Sequence, residues 1–174
     1  PACSDWQLAD LGQRYHHSTG LMQGATNVPL PSPIPIAGLK PIATIQVAVV
    51  GAHLSGMPLN WQLTERKGRL LKTTKTSDCY QLFALPNSTP PKPGLMRVSP
   101  GKGVSIEVEI WEMPANEFGS FVALIPAPLG IGTLQLMDGT TAQGFLCESI
   151  SLEGATNISH LGGWRAYVTS LKAT

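Results

Sequence analysis

Charge is scarce in this chain. Lysine, arginine, aspartate and glutamate make up 13% of its 174 residues, about half the share usual in a soluble domain. The 12 basic and 11 acidic side chains nearly cancel, and a net charge of +1 leaves no electrostatic footprint for nucleic acid or an anionic membrane. Long apolar runs are missing too: no stretch reaches the roughly 18 residues that a helical membrane span needs. The N-terminus lacks the basic and apolar segments of a secretory signal, so a cytoplasmic protein is expected. Cysteine is confined to Cys3, Cys79 and Cys147, with no C-x-x-C pair, and free reduced thiols are expected, Cys79 and Cys147 serving as small buried hydrophobes in strand-like runs. The 4 histidines have no metal-ligand spacing: His16 and His17 are neighbours that point from different faces of a predicted helix, and His160 stands alone. Neither a metal nor a cofactor is expected. Serine catalysis finds no support either, because no Gly-x-Ser-x-Gly elbow is present and Ser120 reads as a helix residue.

What the chain has in quantity is turn formers, 18 Gly and 15 Pro, around a 43% hydrophobic content. The length predicts one domain with a modest appendage. The first residue is Pro1, which points to a piece of a longer polypeptide. Trp6, Leu8, Leu11 and Tyr15 lie near helical spacing behind Ser4 or Asp5, predicting a short helix over 5–17. Prolines at 29, 31, 33, 35 and 41 forbid helix and mark 29–41 as an extended linker, with the main domain running from 42 to 174.

Within that domain, 42–50 is a β-branched run stopped by Gly51, the pattern of a strand buried on both faces. Strands are also predicted over 79–85 and 104–111, the second alternating so that Glu107 and Glu109 face water. A helix is predicted over 114–124, a hairpin pairs 132–137 with 143–147 across Asp138-Gly139, and a last helix over 158–172 is interrupted by Gly162-Gly163. Five basic residues between Arg66 and Lys75 read as a solvated loop. The class is α+β, with a mixed, curled or barrel-like sheet and few helices.

The segment from Val49 to Asn60, Val-Val-Gly-Ala-His-Leu-Ser-Gly-Met-Pro-Leu-Asn, is the most informative for chemistry, because a buried strand ends there in a glycine and a loop presents one histidine. Gly51 and Gly56 let the backbone bend closely around a small ligand, whose carboxylate successive N–H groups of the loop would cradle. His53 titrates near neutrality, although loop histidines are more often structural, and the residues alone leave both readings open. Prolines 90, 91 and 93 either preorganise Lys92 against a carboxylate or form a plain connection. Glu148, ending an apolar strand, is the one carboxylate expected to point inward.

Several motifs together resemble one family. They are the 49–60 segment, Tyr80 with Leu-Phe-Ala-Leu-Pro at 82–86, Pro-Pro-Lys-Pro-Gly-Leu at 90–95, Phe-Gly-Ser-Phe-Val at 118–122, Ile-Pro-Ala-Pro-Leu-Gly-Ile-Gly-Thr at 125–133, Gly-Phe-Leu-Cys-Glu at 144–148 and Gly-Gly-Trp-Arg-Ala-Tyr at 162–167. From about 45 to 168 the chain is similar to the C-terminal domain of allophanate hydrolase, itself distantly similar to the γ-glutamylcyclotransferase-like fold. The resemblance implies that 1–28 are the tail of a preceding amidase domain, whose Lys/Ser/Ser triad is absent here. It further implies a component of a hydrolase of urea or triazine nitrogen breakdown that decarboxylates N-carboxycarbamate, the product of the amidase step. His53 would be its central residue, with Gly51, Ala52, Leu54, Asn60, Tyr80 and Lys92 binding the small anionic substrate. The implied partners are the N-terminal amidase domain of the same polypeptide and a second copy in a homo-oligomer. The other reading is a non-catalytic module that stabilises the amidase or mediates oligomerisation. The low charge favours that reading, since a domain with few charges exposes former interface.

Overall fold

The computed structural model describes residues 5–34, 43–86, 88 and 90–172. Its internal contacts divide the chain between Ile42 and Ala43 into two units. In the first, helix α1 (Asp5–Thr19) buries none of its residues and carries an Asp10–Arg14 pair at 2.7 Å, one turn apart. The side chain of Gln13 bonds the backbone of Ile34 in both directions, at 3.1 and 3.0 Å, so the extended segment after a short turn at Gly24–Thr26 folds back along α1. The predicted helix is present and two residues longer. Ser4, Cys3 and the linker positions 35–41 lie outside the described residues.

The second unit is built on a five-stranded mixed sheet. Its strands are β1 (Thr44–Val49), β2 (Arg69–Lys75), β5 (Glu107–Pro114), β6 (Leu129–Gln135) and β7 (Thr141–Cys147), in the order β2-β5-β1-β7-β6. As its β-branched run predicts, β1 is central: it pairs antiparallel with β5 and parallel with β7. The hairpin of β6 and β7 turns at Asp138-Gly139, where Gly139 takes φ 81°. Strands β3 (Tyr80–Ala84) and β4 (Pro93–Arg97) form a second hairpin, extended by the two residues of β8 (Thr156–Asn157). This smaller sheet packs on the larger one where Gly94 faces Cys147; a Cβ on Gly94 would sit 2.9 Å from the Cys147 sulfur. Helices α2 (Trp61–Thr64), α3 (Ala115–Val122) and α4 (Trp164–Lys172) complete an α+β fold.

Three expectations need correction. The basic stretch after Arg66 is not a loop from residue 69 onward: it is β2, an edge strand whose lysines face solvent and blunt the edge, with Lys72 paired to Asp138 at 2.7 Å. Prolines 90 and 91 lie in the connection between β3 and β4, and Pro93 opens β4, a position where a missing N–H is tolerated. Glu109 does not face water but is buried, since the face of β5 that it shares with Trp111 and Met113 is also covered. The last helix begins at Trp164 and not at 158; Gly162, at φ 73°, ends a 3-10 turn, and Gly163 lets the chain pass against Glu107. The core joins Val47, Val49, Leu54, Leu63, Leu82, Ile110, Phe121 and Trp164.

Candidate active site

Immediately after β1 the backbone winds into consecutive turns. Leu54 N–H donates to Gly51 O at 2.9 Å, Met57 N–H to Leu54 O at 2.9 Å and Leu59 N–H to Ala52 O at 2.8 Å. None of the turn and loop bonds among the described residues uses the N–H groups of Gly51, Ala52 or His53. Leu54 is fully buried and pins the loop to the core, and Asn60 ties it from the other side, its Nδ2 donating to His53 O at 2.8 Å.

His53 is half-buried between two phenylalanines. Its imidazole stacks on Phe145 with centroids 5.0 Å apart and meets the edge of Phe121 at 5.3 Å. Nε2 donates to Gln62 Oε1 across 2.8 Å. Because that oxygen only accepts, Nε2 carries the hydrogen and Nδ1 keeps its lone pair. Burial pulls the His53 pKa below its ordinary value; the Gln62 bond opposes this and the Lys92 ammonium adds to it. Burial thus favours the neutral imidazole.

A cavity of about 240 Å³ opens beside this ring. Gly51, Ala52, His53 and Gln62 line it on one side, Lys92 with Pro90 and Pro93 on another, and Leu124–Pro126 with Phe145 close it. The hairpin of β3 and β4 delivers Lys92: its N–H donates to Ser88 Oγ at 3.0 Å and its carbonyl accepts Leu85 N–H at 3.0 Å. A second hollow of about 540 Å³ shares Lys92, Pro126 and Leu129 with the first. Among the described residues no three His, Cys, Asp or Glu side chains gather as metal ligands.

Of the residues singled out from sequence, Gly51, Ala52, His53 and Lys92 converge on this cavity. Leu54 and Asn60 support its loop instead of lining it. Tyr80 stands elsewhere: fully buried, its hydroxyl accepts from Arg97 Nη2 at 2.8 Å and from Gln135 N–H at 2.9 Å. Glu148, expected inward, is exposed just beyond the end of β7. Gln62 escaped the sequence reading because a neutral amide in a short helix carries no chemical signature. Its spacing after His53, one loop and the first turn of α2, was the available hint.

A histidine and a lysine thus line one small, largely apolar cavity just beyond the central strand of an α+β domain. The family model for the allophanate hydrolase C-terminal domain matches residues 45–169, and the chain belongs to that family. It is 39% identical over 180 residues to the urea amidolyase of Saccharomyces cerevisiae, covering 97% of this chain but 10% of that protein. The structure of Kluyveromyces lactis allophanate hydrolase matches with a TM-score of 0.70 and 42% identity, over 72% of this chain and 21% of that one. A uropathogenic E. coli-specific protein matches with a TM-score of 0.68 and 33% identity, over 73% of this chain and 97% of its own length. The chain thus spans a small part of the multidomain urea-degrading relatives.

Proposed function

We propose that this domain decarboxylates N-carboxycarbamate, the dianion left when the amidase step of allophanate hydrolysis releases ammonia. The observation that carries the reading is the convergence of His53 and Lys92 on one cavity sized for a few heavy atoms. In the reaction one C–N bond breaks, its electron pair stays on nitrogen, CO2 leaves, and the nitrogen takes up one proton to give carbamate. Lys92 and the N–H groups of Gly51 and Ala52 hold the two carboxylates. Bound next to His53, a dianion raises the proton affinity that burial and Lys92 lower, so the imidazole takes a proton at Nδ1 on binding and passes it to the departing nitrogen. The apolar wall of Leu124, Ile125 and Phe145 disfavours the charged ground state relative to neutral CO2.

The deciding experiment follows CO2 release from N-carboxycarbamate formed in situ by a separate amidase, with this chain, with His53→Ala, and with neither. Acceleration by the native chain alone supports the reading. Equal rates in all three overturn it and leave the domain as a scaffold of the amidase.

A further inference from the structure

Outside the cavity lining, the loop that presents His53 is held by charged groups the reaction does not use. All three polar groups of Ser55 are engaged: its N–H and Oγ donate to Glu109 Oε2 at 2.8 and 2.9 Å, and its carbonyl accepts Arg165 Nη2 at 3.0 Å. Glu109 is buried on β5, where Trp111 Nε1 donates to it at 3.0 Å. Arg165, in the first turn of α4, closes the cluster with Nη2 on Glu109 at 2.6 Å and Nη1 on Glu107 at 2.9 Å. Removing a carboxylate from water is costly, and replacing such a cluster with apolar side chains is often neutral for stability. Fixing Ser55 at every polar atom, two residues beyond His53, is something an apolar cluster would not do.

We propose that Glu109 and Arg165 are positioning residues, a clamp on Ser55 that sets the loop so that His53 meets Gln62 in a single tautomer. The proposal takes His53 as the working residue from the reading above. The two separate experimentally, because the state of the imidazole is read without substrate. The geometry leaves little slack: Asn60 tethers the His53 carbonyl on one side and the clamp tethers Ser55 on the other. A loosened Ser55 lets the ring tilt off Phe145 and away from Gln62 Oε1.

The test is ¹⁵N NMR of the His53 ring in the whole chain, for the native protein, Glu109→Gln and Ser55→Ala, well below their melting temperatures. One Nε2–H tautomer is expected in the native protein and a mixture of both in the variants. In the decarboxylation assay kcat is expected to fall on the order of 100-fold, the scale of a misplacement by about 1 Å, with KM nearly unchanged. Should Glu109→Gln fail to fold, Ser55→Ala decides, since it removes one hydrogen bond and no charge. Folded variants with the native tautomer would overturn the clamp, whatever the domain catalyses.

Discussion

Gly51 has no room for a side chain because Pro93 occupies it: a Cβ at 51 would overlap both Cγ and Cδ of the proline ring. The glycine just after β1 and the proline that opens β4 thus meet at the cavity, bringing the His53 loop and the Lys92 hairpin into van der Waals contact. Gly51→Ala is expected to displace the hairpin, cost about 1–3 kcal/mol as overpacking does, and weaken binding of the dianion by moving Lys92. Urea unfolding and a KM measurement check both parts.

Replacing Gln62 by glutamate puts a carboxylate where an amide oxygen now accepts from His53. An opposite charge at 2.8 Å favours the imidazolium, so the His53 pKa, held low by burial, should rise in Gln62→Glu. A ¹H NMR titration of the imidazole reads the shift; an unmoved or lower value would mean that the two side chains do not meet in solution.

Because the folded chain holds His53 below its ordinary pKa, the unfolded chain binds the extra proton first. Stability is full above the unfolded value and declines as pH falls from there to the folded value. Glu109 adds a second decline at lower pH: burial raises its pKa, but bonds from Ser55, Arg165 and Trp111 outweigh this and hold it below the ordinary glutamate value. Its contribution is complete above that ordinary value and is lost as pH falls through the folded one. Melting curves of the native chain and His53→Ala across this range should diverge only near the histidine window.

Tyr80→Phe removes a buried hydroxyl that satisfies Gln135 N–H and Arg97. The lost bonds are part-buried, and a typical hydrogen bond contributes about 0.5–1.5 kcal/mol, so chemical denaturation should show a loss of that order.

The elements that the sequence revealed are those decided locally. The run of β1 is continuous, Asp138-Gly139 tolerates positive φ, and Phe118 and Phe121 behind Pro114 keep helical spacing. What it hid was decided by neighbours. Strand β2 carries Lys72 and Lys75 around Leu70 and Leu71, a mixture that looks solvated until β5 provides a partner. Glu109 alternates with Val108 and Ile110 and so seemed outward. Trp111 and Met113 on its own face were the sign that this face, too, is covered. At the site, glycine, histidine and lysine advertise themselves by chemistry, whereas Gln62 and the Ser55 clamp act through geometry that only the fold creates.

Strand β1 leads directly into the His53 loop, and its parallel neighbour β7 brings Phe145 beneath the ring from the far end of the domain's sequence. Parallel neighbours cannot be closed by a tight turn, so this pairing forms only after the intervening chain has been laid down. A chain emerging from the ribosome has its loop histidine long before it has the floor on which that histidine rests, and any truncation ahead of residue 145 leaves the histidine without that floor.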